Sequence, residues 1–370
     1  MQFTTLPISA DARREKPTDE NSLGFGKLYS DHMFSMRWID GEGWVEATVG
    51  PYKNLEMPPA SLVLHYGQTI FEGLKAYRNA KGTVNLFRAV DNATRFNRSA
   101  VRLDLPEVPT EIFMQAIESL IELDHEWIPQ SHGTSLYVRP TMIATEPYIG
   151  LKSTAQALFF IITGPVGAYY PEGFNPVKIT VSDGFSRAGP GGLGSAKTAA
   201  NYAASLLAEK EAIKRGFTQV LWLDAAERRY IEEVGSMNIL FKIDGKVITP
   251  PAGDTILAGI TKDSVLRVLE QWGIPTAEER LTIDDVIAAH AAGKLEEVFG
   301  AGTAAVISPV GQLEYKGKTY DVGNGEAGPI ALKLFDELMG IQYGTRPDPF
   351  GWITEVRPSG MPANSKQATG

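Results

Sequence analysis

Apolar positions along the chain follow two different periods. VNLFR, TSLYVRPTMIAT and ALFFIIT carry the alternating or continuous apolar runs of strands, with SLVLHYG a further apolar run, whereas residues 91–103 and 110–126 repeat apolar positions at helical spacing. Asp91 or Asn92 is placed to cap the first helix, and Thr110 the second. Beyond ALFFIIT the pattern breaks in GPVGAYYPEGFNP, residues 164–176, where prolines and glycines cluster and a domain boundary is expected. The second part opens with the strand VKITV and a glycine-rich loop. A helix from about Asn201 to Arg215, the strand TQVLWL and two strands around DGK follow. On that helix Leu206, Leu207 and Ile213 share a face, and Gly216 closes it. Strands alternating with helices make both parts α/β or α+β. The expected organisation is a flexible segment over 1–22, one domain over 23–168, a linker over 169–176, a second domain over 177–356 and a polar, flexible tail over 357–370.

Composition narrows the chemistry. A chain of 370 residues, 43% of them hydrophobic, has the material for more than one core. A net charge of -9 argues against a nucleic-acid footprint, which needs clustered lysine and arginine, so the expected partner is a small molecule. With no cysteine, disulfides, thiolate metal sites and cysteine nucleophiles are excluded. None of the five histidines pairs at i, i+4, so no metal centre is expected. The N-terminal stretch lacks the layout of a secretion signal and no apolar run approaches the roughly 20 residues that span a bilayer, which points to a cytoplasmic enzyme.

The stretch GPGGLGSAKTAANY, residues 189–202, places Lys197 between a glycine cluster and a helix. Gly191 to Thr198 nearly fits a phosphate loop, but Ala196 stands where that loop needs its last glycine, and SDGFSRA separates the preceding strand from the glycines. A nucleotide-binding protein is therefore the weaker reading. An ordinary solvated lysine is the plainest one. Against it stands the context of small residues, which admit a large planar group, and Tyr202 five residues on.

GSAKTAANYAASLLAEKEAIKRGFTQVLWLD, IEEVGSMNILF, LAGITKDSV and EVFGAGTAAVISPV resemble the branched-chain amino acid aminotransferases, the fold-type IV group of pyridoxal-phosphate enzymes. Upstream, FGKLYSDHM, LHYGQTIFEGLKAYR, NATRFNRSAVR, GTSLYVRPTMIATEP and ITGPVGAYY follow in the family's order, so the resemblance covers about 23 to 345. It implies a small N-terminal α/β domain and a larger C-terminal pseudo-barrel domain, with pyridoxal 5'-phosphate between them. By the same resemblance Lys197 is the catalytic residue, holding the cofactor as a Schiff base and moving the substrate's α-proton. A free lysine amine has a pKa of about 10.4 and does this near neutrality only where burial or positive neighbours lower it. The resemblance places Glu233 on the pyridine nitrogen and Tyr202 on the ring oxygen. It places Ile260, Thr261, Thr303 and Arg95 on the phosphate, the first two at a helix start whose amides favour an anion.

For the substrate, the resemblance implies a wall of Phe25, Tyr66, Phe71, Tyr137, Tyr169 and Ser236. Arg139 would meet glutamate's second carboxylate and the amide of Ala304 the α-carboxylate. Ile149 and Leu151 match a loop that closes the partner subunit's pocket, which implies a homodimer. The chain departs from the family at Ala305 and Ser308, where eukaryotic relatives carry a Cys-x-x-Cys, and at Ala199 and Ala200, where the family has two glycines. The implied reaction is transamination of leucine, isoleucine and valine with 2-oxoglutarate, in two ping-pong half-reactions. Same-fold alternatives are D-amino acid transamination and the lyase that splits 4-amino-4-deoxychorismate.

Overall fold

A computed structural model describes residues 1–167, 174–182 and 184–360. The chain divides into two compact units, 1–169 with 339–370, and 170–338.

The first unit is built on strands β1 (Thr4–Thr5), β2 (His32–Ile39), β3 (Gly43–Pro51), β4 (Thr69–Phe71), β5 (Leu74–Arg78), β6 (Val84–Phe87), β7 (Ser135–Ala144) and β8 (Gln156–Val166). They pair in the order β1-β3-β2-β8-β7-β5-β6, with β4 also on β7. SLVLHYG forms the short helix α1 (Leu62–Tyr66), which Gly67 ends in the left-handed conformation. Helices α2 (Ala89–Arg102) and α3 (Thr110–Asp124) pack on the sheet. Neither helix uses the expected cap: Arg88 and Pro109 hold the cap positions and no side chain bonds the first turn. Alternation along β7 sends Leu136, Val138, Pro140 and Met142 inward and leaves Tyr137, Arg139 and Thr141 half-buried on the opposite face. The core they join is aromatic, with the Phe96 ring 5.3 Å from Phe159 and 5.7 Å from Phe113.

The first 22 residues are tied down. β1 pairs in parallel with β3, the Ile8 amide donates to His32 Nε2 at 3.2 Å, and the Arg14 amide to Asp31 at 2.9 Å. Glu20 accepts from the amides of Gln130 and Ser131. These contacts replace the flexibility expected of a polar N-terminus.

The second unit holds β9 (Val177–Val181), α4 (Ala199–Lys214), β10 (Gln219–Leu223), β11 (Ile231–Val234), β12 (Met237–Ile243), β13 (Lys246–Thr249), α5 (Ile260–Gln271), β14 (Thr276–Glu278), α6 (Ile283–Ala291), β15 (Leu295–Gly302), β16 (Val306–Tyr315) and β17 (Lys318–Asp321). The order β11-β10-β9-β16-β15-β12 is closed by the pairing of β11 with β12, a ring of six strands. Closure removes the exposed sheet edges that an open arrangement would leave.

On α4 the leucine-bearing face points outward. Leu206, Leu207 and Ile213 are exposed, at 63%, 54% and 64%, while Asn201, Ser205, Ala208 and Ala212 are buried. Ala208 and Ala212 pack with Val220 and Trp222, where small side chains let the helix approach the sheet closely. Gly216, at φ +85°, ends the helix as its position implied.

Helix α7 (Pro329–Tyr343) runs across the division, and β18 (Ile353–Val356) then pairs with β6. Residues from Met339 onward thus belong to the first unit, not to a second domain reaching 356. The expected linker and tail fall largely on 168–173 and 361–370, outside the described residues. Among the described residues no helix is long and apolar enough to cross a membrane.

Candidate active site

In the second unit the barrel topology gathers the residues implied for the cofactor. Asn238, at the start of β12, faces Glu233 on β11 and Ala301 on β15. The turn Gly235–Ser236 and the turn Thr303–Ala305 therefore lie at the same end of the barrel. The loop carrying Lys197 and the start of α4 reach this region, because Tyr202, Ser205, Glu233, Ser236 and Leu257 line one recess.

Lys197 Nζ donates to Tyr202 Oη at 2.8 Å. Asn201 fixes the loop behind it, its Nδ2 donating to the carbonyls of Leu193 and Ala196, both at 2.8 Å. Ala199 and Ala200 are the first two residues of α4. Neither has a positive φ, so the methyl groups that replace the family's glycines sit in unstrained helix, and Ala200 is exposed.

Glu233 is 4% exposed. Its Oε1 accepts from Asn238 Nδ2 at 3.1 Å and from the Leu257 amide at 3.2 Å, and Arg187 Nε lies 2.5 Å from its Oε2. The last contact is an ion pair without the linear geometry of a hydrogen bond. Burial pushes the Glu233 carboxyl above its ordinary range, opposed first by Arg187, then by the Leu257 amide, Lys197 and Lys262. Glu232 beside it is no surface residue: it is 5% exposed, its Oε2 is buried without a partner, and burial raises its pKa to about 7.

Ile260 and Thr261 open α5 behind Gly259, with no side-chain cap on the first turn. Thr261 is thus not the N-cap. First-turn amides have no partner within a helix and face an anion favourably. Thr303 and Ala304 occupy the three-residue turn between β15 and β16, held by the pairing of Gly302 with Val306. Val306 adopts φ +63°, an unusual conformation for a β-branched residue and one that no sequence pattern announced.

A second group forms in the first unit, on the half-buried face of its sheet. Tyr137 and Arg139 alternate on β7, and Phe71 lies opposite Thr141 on the same face. The Arg139 guanidinium stands 4.7 Å from the Phe71 ring and 5.2 Å from the Tyr137 ring, and Nη2 donates to Tyr137 Oη at 3.1 Å. Arg139 Nε is buried without a hydrogen bond. Phe25 meets Tyr137 edge-on at 4.9 Å. Gly73 makes room for this cluster, since a Cβ there would stand 1.9 Å from Tyr137 Oη. Tyr66 is half exposed and donates its hydroxyl to the Ile149 carbonyl; Ile149 and Leu151 are 68% and 81% exposed. Tyr169 lies outside the described residues.

Arg95, implied for the phosphate, lies in the first unit. It lies on the buried face of α2, and its Nε and Nη2 donate to the two oxygens of Glu72 at 2.7 and 2.9 Å. Glu72 is 0% exposed, so Arg95 is its counter-ion in the core. Arg98 and Arg102 on the same helix are exposed. Sequence reasoning missed Asn238, Glu232's burial and Arg88, which sits buried at the start of α2 with φ +52° and its Nε 2.6 Å from Asp91.

These residues fit pyridoxal 5'-phosphate. The second unit offers an amine with a phenol beside it, a buried carboxylate for a ring nitrogen, and helix and turn amides for a phosphate. Residues 69–313 match the sequence model of "Amino-transferase class IV". The chain is 49% identical over 356 residues to branched-chain-amino-acid aminotransferase 2 of Bacillus subtilis, covering 96% of this chain and 98% of that one. It is 44% identical over 364 residues to a branched-chain-amino-acid aminotransferase of Mycobacterium tuberculosis, covering 96% and 98%. Among solved structures it is similar to the Escherichia coli branched-chain amino acid aminotransferase (TM-score 0.72, 27% identity, 86% of this chain and 98% of that one). It is also similar to the T.th. branched-chain amino acid aminotransferase complexed with N-(5'-phosphopyridoxyl)-L-glutamate (TM-score 0.71, 29% identity, 86% and 97%). Class IV aminotransferases use pyridoxal 5'-phosphate, the group that this set of side chains suits. Fold, site chemistry and near full-length likeness agree: the chain belongs to the class IV aminotransferases.

Proposed function

We propose that the protein transfers the amino group of leucine, isoleucine or valine to 2-oxoglutarate, giving the branched-chain 2-oxo acid and glutamate. The observation that carries the substrate assignment is the Arg139 cluster: a guanidinium stacked on Phe71 and Tyr137, with Phe25 beside them. Its aromatic faces suit an apolar side chain. Its buried Nε suits the second carboxylate of glutamate. One recognition surface then serves both amino-acid classes, as the near full-length likeness to branched-chain aminotransferases supports.

When bound, pyridoxal phosphate supplies an electron sink that makes the substrate's α-hydrogen acidic. The chain's residues then divide the work. Lys197 Nζ takes the proton from Cα of the amino acid that gives up its nitrogen and, in the second half-reaction, delivers one to Cα of the oxo acid that receives it, and Tyr202 Oη orients that amine. Glu233, held by Asn238 and the Leu257 amide, presents its carboxylate to the ring nitrogen. Ile260, Thr261, Thr303 and Arg95 bind the phosphate, and the Ala304 amide the substrate's α-carboxylate. Tyr66 and Ser236 complete the substrate wall. The first product leaves before the second substrate enters, so ping-pong kinetics is expected.

We further propose a cytoplasmic homodimer. The exposed stripe Leu206, Leu207 and Ile213 and the exposed Ile149 and Leu151 are apolar surface that a second copy would cover, with Ile149 and Leu151 at the partner's pocket.

The test is the visible absorbance of the cofactor-loaded protein before and after L-leucine, beside Lys197→Ala and a D-alanine control. A band that L-leucine bleaches, D-alanine leaves alone and the variant lacks supports the assignment. Bleaching by D-alanine in place of L-leucine overturns the substrate class, and absence of any cofactor band in the parent overturns the chemistry.

A further inference from the structure

Arg187 is a buried cation at the cofactor site to which the proposed reaction gives no role. It is 8% exposed and reaches three segments at once. Nε lies 2.5 Å from Glu233 Oε2, and Nη2 donates to the carbonyls of Gly194 at 3.2 Å and Thr255 at 2.6 Å. Gly194 precedes Lys197 by three residues, and Thr255 leads towards α5. The guanidinium therefore ties the Lys197 loop and the approach to the phosphate helix to one carboxylate.

The charges around that carboxylate are uneven. Two adjacent acidic residues, Glu232 and Glu233, are both buried on β11. Arg187 acts on both, while Lys197 and Lys262 also face Glu233, and Glu233 and Asp224 face Glu232. Lys262 is held by Glu278 at 2.6 Å and by the Pro250 carbonyl, and Lys197 is the reacting amine. Arg187 is the cation in direct contact with Glu233 that has no carboxylate partner elsewhere in the pairs formed by the described residues.

We propose that Arg187 is a positioning residue that acts through Glu233, keeping its carboxylate ionised and aimed so that the cofactor's ring nitrogen stays protonated. The inference rests on the reading that Glu233 faces that nitrogen. A buried carboxylate without a counter-ion takes up a proton instead, and a neutral carboxylic acid no longer holds a proton on the ring.

The experiment reads the ring nitrogen directly, by 15N chemical shift of 15N-labelled pyridoxal phosphate bound to the parent, Arg187→Lys, Arg187→Gln and Glu233→Gln proteins. Spectra are taken from mildly acidic to mildly alkaline pH, with thermal melting as the check on folding. The parent and Arg187→Lys are expected to show a protonated nitrogen throughout, and Arg187→Gln a nitrogen that loses its proton within the range. A matching loss of roughly 10- to 100-fold in kcat, with KM for leucine little changed, is expected of Arg187→Gln. If Glu233→Gln loses the proton while Arg187→Gln keeps it, the inference is overturned and Arg187 is only a cross-link between loops. If Glu233→Gln keeps the proton, the underlying placement of Glu233 fails instead. If Arg187→Lys behaves like Arg187→Gln, the charge is not the operative property and the inference is likewise overturned.

Discussion

Replacing Glu72 with leucine, Arg95 with methionine, and both together tests Arg95 as a counter-ion in the core and as a phosphate ligand. Two parallel contacts at 2.7 and 2.9 Å join groups that are 0% and 6% exposed. At an effective dielectric near 20, opposite charges about 4 Å apart attract by about 4 kcal/mol, and breaking a buried pair by removing one partner costs roughly 3–5 kcal/mol. Each single variant is expected to lose stability in that range. The double variant recovers most of it, because two apolar side chains need no counter-charge; recovery is incomplete because the Gly73 amide loses its acceptor on Glu72. Denaturant unfolding of the apo-protein measures this, and four of the six tryptophans, Trp38, Trp44, Trp127 and Trp352, report on the first unit. Cofactor affinity of Arg95→Met, titrated by absorbance, is expected to fall at least tenfold, about 1.4 kcal/mol, because the guanidinium also serves the phosphate. A fully stable Arg95→Met protein would refute the counter-ion role, and one that binds the cofactor as tightly as the parent would refute the phosphate role.

The raised pKa of Glu232 has a defined sign. Its folded value is about 7 against an ordinary 4.5, so between these the unfolded chain releases the proton while the folded chain keeps it. Stability present at low pH therefore falls as pH rises from 4.5 to 7, by up to about 3 kcal/mol, and Glu232→Gln should flatten that slope in pH-dependent melting. Arg139→Met is expected to raise KM for 2-oxoglutarate about tenfold or more while changing KM for leucine little; equal effects on both would remove Arg139 from carboxylate recognition. Ala199→Gly and Ala200→Gly, which restore the family's glycines, should each cost up to about 1 kcal/mol of stability, since both alanines are unstrained helical residues. A rise in melting temperature would show strain that the backbone does not display.

The chemistry of the second unit was legible in the chain, because its parts are local: a lysine before a helix start, Tyr202 five residues on, a glutamate ending a short strand, a helix opened by Gly259. Alternation along β7 likewise declared which residues face the core and which, Tyr137 and Arg139 among them, do not. Three matters were settled only by tertiary packing. Periodicity on α4 marks two faces without saying which is inside, and the approach of the helix to Trp222 selects the small residues and leaves the leucines out. A charge on a helix reads alike whether it serves a ligand or a neighbour; only the fold brings Glu72, 23 residues before Arg95 in the chain, onto the guanidinium. Arg187 and Glu233 are 46 positions apart in sequence and 2.5 Å apart in space, a pairing that no local pattern encodes because it depends on the sheet order that sets β11 two strands from β9, ahead of the loop carrying Arg187.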